Sequence, residues 1–596
     1  MISVFKNIGK LTLYFLVWIK LNVNPRQFLI FASVLVGIFA GLAVVALKGF
    51  AHWVFLFSQY IDRILKLPFS NSLLPVIGIF LTVVIIQRFL GGKIEKGLSQ
   101  IMYSVARKNS MLPKRQMYAQ ILTNSLTVGF GGSAGVESPV AITGAAFGSN
   151  FAQYFKLSYK ERTLLLACGV AAATAAAFNA PIAGVLFAIE VVLADMSITA
   201  FIPIMISAAT GAIVSSLFLS KDVLLHFTEK QSFEFHEILL YVLLGLITGW
   251  FSVYYSRNFQ RITEHFNRIG GTYKKAFYGA SLLAVLIFIV PTLFGQGYES
   301  IKILSGDNPN ELLNETLFSG FSDSTWTLLV FVGLSAFLKV FAVGFTLNSG
   351  GNGGNFAPSL FAGSYLGFLF AYLINLTDFI KVPVASFTLV GMAGVFSSLF
   401  HAPLTAIFLI GEITGGYSLM IPLLVVSSVS FAVSKQYEIY SMDLKKLAKK
   451  GDVFTSNKDR NILSAISLDE VLITDYKTLK PDDGLEKVVE YISKYNQNYF
   501  PVLDLQNKLV GIVEFDKIRE LVFNSFNVKY TKVEEIMQKP DTVIYFENTL
   551  YIMLEKLEQS QKEVLPIIKE GKYYGFVSKL LILKKYRERL KSMRVE

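Results

Sequence analysis

Cysteine is all but missing from this chain: Cys168 is the only one among 596 residues. A single thiol excludes an intrachain disulfide and any metal site built on cysteine pairs, and its Ala-rich apolar surroundings make it a small packing residue. Histidine is scarce too, at five residues. No His/Cys/Asp grouping has metal-ligand spacing, no phosphate loop is present, and His401 belongs to a packed Phe400-x-Ala402-Pro403 turn, so an enzyme is not expected. Charge is the other shortage: 16% of residues are charged, against 53% hydrophobic. A soluble fold could not hide that much apolar surface, which makes this an integral membrane protein. The formal net charge of +12 comes with no basic-aromatic module or DNA-reading motif. Nucleic acid is therefore not an expected partner, and basic cytoplasmic flanks of membrane spans account for the charge.

What is present is a series of apolar segments. After Lys6, Lys10 and an amphipathic run to Lys20, residues 1–25 read as an uncleaved interfacial helix, because no small-residue cleavage site follows. Leu29 to Phe57 is longer than the roughly 20 residues that cross a bilayer upright, which predicts a tilted span. Leu73 to Ile86 is a second span. Basic residues Arg107, Lys108, Lys114 and Arg115 place the next loop on the cytoplasmic side. Leu122 to Phe130 is apolar but short. Segments from Pro139 to about Tyr154, Leu164 to Phe178 and Pro181 to about Leu193 are each broken by Gly or Pro, and Ser197 to about Leu219 closes the first half. After a polar connector at 220–236, the second half brings Ile238 to Tyr255, Ala276 to Phe294, Trp326 to Phe345, Leu360 to Leu376, Phe387 to Leu399, Pro403 to Ile410 and Met420 to Val433. Lys445, Lys446, Lys449 and Lys450 then place the tail in the cytoplasm, beneath a multi-pass cell-membrane domain.

The two halves repeat each other. Gly135, Pro139, Gly144 and Gly148 have the spacings of Gly354, Pro358, Gly363 and Gly367, and Gly169, Phe178, Ala180, Pro181 and Glu190 those of Gly391, Phe400, Ala402, Pro403 and Glu412. Duplicated apolar units with Gly/Pro breaks at matching positions point to a transporter-type fold with its site at the breaks. Pro139 and Pro358 suit a first helical turn, where the missing N–H costs nothing. Two helices starting inside the membrane would aim unpaired amides and partial positive charge at one place, a site for a dehydrated anion; a cation site would want carboxylates and carbonyls instead. Glu137, at the mouth of such a site, competes with the anion. It reads either as a gate, a tethered anion that yields when protonated or displaced, or as a cap on a helix N-terminus.

Gly135-Val136-Glu137-Ser138-Pro139 resembles the GxEGP-type motif of the CLC family of chloride channels and proton-coupled chloride transporters, with Ser138 in place of the second glycine. Gly354-Asn355-Phe356-Ala357-Pro358 is similar to that family's GxFxP motif, and Tyr440 falls at its anion-coordinating tyrosine. The resemblance covers about Leu29 to Leu444. It implies a membrane all-α fold, an inverted-repeat helical bundle over 26–444 with halves at about 26–220 and 236–440, and a homodimer in the lipid bilayer with one anion path per subunit. It further implies Glu137 as the gating glutamate, with Phe356 and Tyr440 lining a chloride site that also takes in Lys96, Gly97, Gly354 and Asn355. Two departures matter. Lys96, in Glu95-Lys96-Gly97-Leu98-Ser99, replaces a serine that often coordinates the anion; it gathers anions at the inner mouth, binds them too firmly for fast turnover, or is an ordinary snorkelling lysine. Val191 stands where proton-coupled members commonly carry a relay glutamate, and valine cannot titrate; Glu190, matched by Glu412, reads as structural. Losing the relay while keeping Glu137 favours a channel or uncoupled conductor over a chloride/proton antiporter, with protons as second substrate in the latter case and a fluoride exporter as a further rival.

A linker at 445–463 leads to a charged, duplicated tail that resembles a pair of α/β CBS domains, at 464–525 and 530–590. Phe500 to Val513 matches Leu565 to Val577, each following an amphipathic stretch. CBS pairs commonly bind adenine nucleotides through a Thr/Ser-x-x-Asp element. Here Glu514 and Lys517 occupy those positions in one copy, Ser578 and Leu581 in the other, which weighs against nucleotide sensing and toward a structural, dimerising tail.

Overall fold

The computed structural model describes residues 22–65, 70–92, 94, 96–193, 198–219, 234–306, 308–314, 316–321, 324–449, 463, 466–495, 497–522 and 525–593. The expected interfacial helix lies almost wholly outside them, as do most of the polar connector and most of the linker. The chain forms two compact units, Met1–Gly451 and Asp452–Glu596.

The first unit is helical. Its first repeat comprises α1 (Pro25–Leu65), α2 (Leu74–Phe89), α3 (Ser99–Arg107), α4 (Gln116–Gly129), α5 (Glu137–Tyr154), α6 (Tyr159–Phe178), α7 (Pro181–Phe187) and α8 (Ile198–Phe218). Its second comprises α9 (Ile238–Arg268), α10 (Thr272–Ile289), α11 (Tyr298–Leu304), α12 (Thr325–Asn348), α13 (Phe356–Leu376), α14 (Val384–Phe400), α15 (Pro403–Ile413), α16 (Met420–Tyr437) and α17 (Met442–Lys449). Among the described residues, eight helices are long and apolar enough to cross a membrane. The 41 residues of α1 extend for about 60 Å at the α-helical rise, twice the thickness of a hydrocarbon core.

The recurring glycines are helix-crossing points. A Cβ added at Gly144 would fall on the Gly169 carbonyl, and one at Gly169 on the Gly144 carbonyl; Gly363 and Gly391 stand in the same relation. The pairs α5/α6 and α13/α14 thus touch backbone to backbone, the close approach that small residues permit between apolar helices.

Three elements depart from expectation. The short apolar stretch at 122–130 belongs to a helix that starts at Gln116. Its polar residues Gln116, Gln120, Thr123, Asn124 and Thr127 are buried because protein, and not lipid, supplies their partners. Helix α9 runs beyond Tyr255 to Arg268, since its polar end lines a cavity rather than facing lipid. Between Phe294 and Thr325, where no span was read, lies the short helix α11.

In the tail, β2 (Tyr499–Leu503) and β3 (Leu509–Glu514) form an antiparallel hairpin with Phe500 opposite Val513. β5 (Val564–Lys569) and β6 (Lys572–Ser578) form another, with Leu565 opposite Val577. β1 (Leu472–Ile473) and β4 (Ile544–Tyr545) extend the second hairpin to the order β1-β6-β5-β4. The parallel pairing of β4 on β5 has its counterpart in the first copy, where Leu479 bridges Val502, so the duplication read from sequence is a duplication of fold.

Candidate functional site

The two Gly/Pro breaks meet. Gly135 and Gly354 form an antiparallel bridge: the Gly135 amide donates to the Gly354 carbonyl at 2.9 Å, and the Gly354 amide to the Gly135 carbonyl at 3.0 Å. This exchange fixes the starts of α5 and α13 side by side. Glycine leaves room at both positions. A Cβ at Gly135 would collide with the Glu137 carboxylate and one at Gly354 with the Ser138 hydroxyl. Pro139 and Pro358 are the third residues of their helices, within the first turn as their missing N–H requires.

A polar lock from α4 holds this junction. Asn352 Nδ2 donates to Gln120 Oε1 at 2.7 Å and to Thr123 Oγ1 at 2.8 Å, the Asn352 amide to Thr127 Oγ1 at 2.9 Å, and Asn124 Nδ2 to the Asn352 carbonyl at 3.0 Å. Residues 120, 123, 124 and 127 share one helical face, which is why a helix with so many polar groups can be buried.

Glu137 sits at the centre, 4% exposed. Tyr298 Oη, from α11, donates to Oε1 at 2.9 Å, and the Ala357 amide, in the first turn of α13, donates to Oε2 at 3.4 Å. A carboxylate from one repeat thus rests on the helix N-terminus of the other. Glu137 lines a cavity of about 640 Å³ together with Lys48, His52, Phe178, Gly297 and Tyr298. Its neighbour Ser138 lines a second cavity, of about 370 Å³, with Lys96, Gly97, Gly354, Asn355 and Lys445. Successive residues of one segment thus line the two spaces.

The second cavity gathers four of the residues expected at the anion site, Lys96, Gly97, Gly354 and Asn355. The Lys96 ammonium donates to the carbonyls of Gly350 at 2.6 Å and Gly351 at 3.0 Å, so it also ties the first repeat to the turn before α13. Phe356 and Tyr440 are not among the residues lining either cavity. Phe356 is drawn into an aromatic cluster, with ring centroids 5.0 Å from Phe178 and 4.5 Å from Phe396. Tyr440 is half-buried in the bend between α16 and α17, where Glu438 pins the chain by pairing with Arg257 at 2.9 Å and with Lys445.

Glu190 and Glu412 form a reciprocal pair of caps. Glu190 accepts from the Leu404 amide at 3.1 Å, the Thr405 amide at 2.8 Å and Thr405 Oγ1 at 2.7 Å, at the start of α15. Glu412 accepts from the amides of Ile182 at 3.0 Å and Ala183 at 2.8 Å, at the start of α7. Each anion faces the positive end of a helix from the other repeat. A π-helical turn, Ala188–Leu193, carries both Glu190 and the buried Val191.

Three residues here escaped the sequence reading. Tyr298 follows Gly295-Gln296-Gly297, in a stretch without helical periodicity. Tyr255 is buried and donates to Asn355 Oδ1 at 3.2 Å; its signal was a Tyr254-Tyr255-Ser256 run at the polar end of an apolar span. Lys48, in the apolar α1, donates to the Ala177 carbonyl near the C-terminal end of α6, the helix end that attracts cations.

The comparisons with known proteins agree with this architecture. The family model described as voltage gated chloride channel matches residues 77–435, and the CBS domain model matches 468–524. The putative chloride channel protein ClcB-like of Ralstonia nicotianae is 28% identical over 391 residues, covering 64% of this chain and 86% of its own. The H(+)/Cl(-) exchange transporter ClcA of Vibrio cholerae is 27% identical over 413 residues, covering 67% and 84%. The crystal structure of a slow cyanobacterial Cl-/H+ antiporter superposes with a TM-score of 0.61 at 22% identity, over 72% of this chain and 99% of that one, and so supports the fold. With its inverted repeats joined at two glycines, and a family model spanning more than half its length, this chain belongs to the voltage-gated chloride channel, or CLC, family, and carries a CBS tail.

Proposed function

We propose that the protein conducts chloride across the cell membrane between its two cavities, with Glu137 as the gate. The observation that carries this reading is the Ala357 amide donating to the Glu137 carboxylate. An amide at a helix N-terminus is what a dehydrated anion would bind, and a carboxylate lodged there keeps the anion out. Protonation or displacement of Glu137 opens the way between the two cavities. Tyr255, through Asn355, and Lys96 shape the inner side of the path, and Tyr440 lies two residues before Met442, which lines the inner cavity. Lys445, whose ammonium donates to Ser256 Oγ at 2.8 Å, adds positive charge there, while the tail faces the cytoplasm.

Conduction is channel-like or weakly proton-coupled, because Val191 offers no titratable group at the position of the internal relay. Chloride/proton antiport is the second reading, favoured by the likeness to an exchange transporter. Fluoride export is the third, because cavities and amides do not by themselves select among halides. The protein works as a homodimer. Ile182 and Leu404, half-exposed beside the two capped helix starts, offer an apolar face to a second copy.

The test is the reversal potential of the purified protein in liposomes under a chloride gradient, with and without an opposing proton gradient. A potential set by chloride alone supports the conductor. A shift with the proton gradient establishes antiport, with protons bypassing Val191. Fluoride current without chloride current establishes the exporter.

A further inference from the structure

A third cavity, of about 480 Å³, lies beside the inner one and takes no part in the path described above. Lys96, Arg115, Gln87, Gln100 and Thr272 supply its polar lining, and Val83, Ile86 and Ile94 its apolar wall. Two cations and two side-chain amides face it, and no carboxylate is among its described lining residues. Arg115 is the telling member. Its Nη1 reaches the Leu90 carbonyl only at 3.4 Å, and its Nε is buried with no hydrogen-bond partner. A guanidinium left short of a partner is costly, and the end-on pair of Nη nitrogens can offer two N–H groups to the oxygens of one phosphate. Thr272, the first residue of α10, adds a hydroxyl at the positive end of a helix.

We propose that this cavity binds a phosphate group, with Arg115 as its principal ligand and Gln87, Gln100, Thr272 and Lys96 around it. The chemistry suits the headgroup of an acidic phospholipid, whose chains would follow Val83 and Ile86, or a soluble phosphate. The loops nearby are basic, with Arg107, Lys108 and Lys114 on one side and Lys274 and Lys275 on the other, as expected of the cytoplasmic face where acidic lipids are met. Lys96 belongs to this cavity and to the inner one alike. A phosphate would compete with Gly350 and Gly351 for its ammonium, so an occupant here bears on the turn that precedes α13. The binding itself does not depend on Glu137 being the gate.

The experiment is native mass spectrometry of the full chain in detergent, with dihexanoyl phosphatidic acid, dihexanoyl phosphatidylcholine or inorganic phosphate added separately. Wild type retains phosphatidic acid over phosphatidylcholine, and R115Q loses about tenfold of that affinity, the worth of one charge-assisted hydrogen bond. R115K, which keeps the charge but not the fork, falls between. Q100L guards against misfolding of R115Q, since it leaves Arg115 in place and weakens binding by about threefold. Inorganic phosphate binding as tightly as phosphatidic acid assigns the site to a soluble ligand, and phosphatidic acid alone assigns it to lipid. Equal retention of phosphatidic acid and phosphatidylcholine with no bound phosphate, or a folded R115Q that binds like wild type, overturns the proposal.

Discussion

Tyr298 and Ala357 hold the Glu137 carboxylate from two directions, and both lie in the second half of the chain. Glu137 itself was legible because a carboxylate in a Gly/Pro turn is conspicuous in so apolar a region. Its partners were not, since hydrogen bonds that span 161 and 220 positions leave no local pattern. Glu137→Gln keeps the shape and removes the titration. We expect anion flux into liposomes that no longer varies with external pH; an unchanged pH dependence would remove Glu137 from the gate. Tyr298→Phe takes away one of the donors that keep the carboxylate in place. A hydrogen bond to a charged group is worth about 1.5–3 kcal/mol, so flux at fixed pH should rise by about tenfold. Lys96, read as either a gatherer of anions or a snorkelling lysine, has its ammonium on two carbonyls, a third arrangement that spacing alone could not suggest.

Helices in this protein are legible where lipid or close packing dictates their surface and illegible where buried polar groups do. The spans α12 and α13 follow from continuous apolar runs. Helix α4 was cut short in the reading because its polar face looks like a loop until Asn352 is placed against it. The glycines are legible as a repeat, but their purpose, backbone contact at helix crossings, depends on partners more than 20 positions away that leave no local pattern. Gly169→Ala inserts a methyl into the Gly144 carbonyl; overpacking of this kind costs about 1–3 kcal/mol. The melting temperature in detergent should fall, and an unchanged value would mean that α5 and α6 separate freely. The reciprocal caps make a second prediction at this scale. Glu412→Ala leaves the Ile182 and Ala183 amides without their anion, a loss of about 1–2 kcal/mol. Glu190→Ala should do the same at α15, and because both caps join the α7 segment to α15 the double variant should depart from the sum of the two losses.

At the scale of the whole molecule, a membrane unit and a duplicated tail were both readable, because each repeats its own pattern and a repeat is visible without any partner. The tail's relation to nucleotide is an example of what pattern leaves open. Glu514, at the ribose-contacting position, is engaged by Lys562 at 2.5 Å and Lys517 at 3.7 Å, so a sugar hydroxyl would have to compete with two ammonium groups for its carboxylate. We expect millimolar ATP to leave the thermal unfolding of the full chain unchanged, whereas a nucleotide at a hundred times its dissociation constant would add about 2.7 kcal/mol. The placing of the two cavities has a further consequence for the membrane unit. With the two cavities filled by water from opposite faces of the membrane, as the proposed path requires, most of the transmembrane voltage would fall across the protein between them. An elementary charge crossing the full drop is worth about 2.3 kcal/mol per 100 mV. A side-chain swing of a few ångströms, or one ion hopping past it, therefore samples a large share of the electric field. On the proposed path, voltage would then act on the permeation step itself.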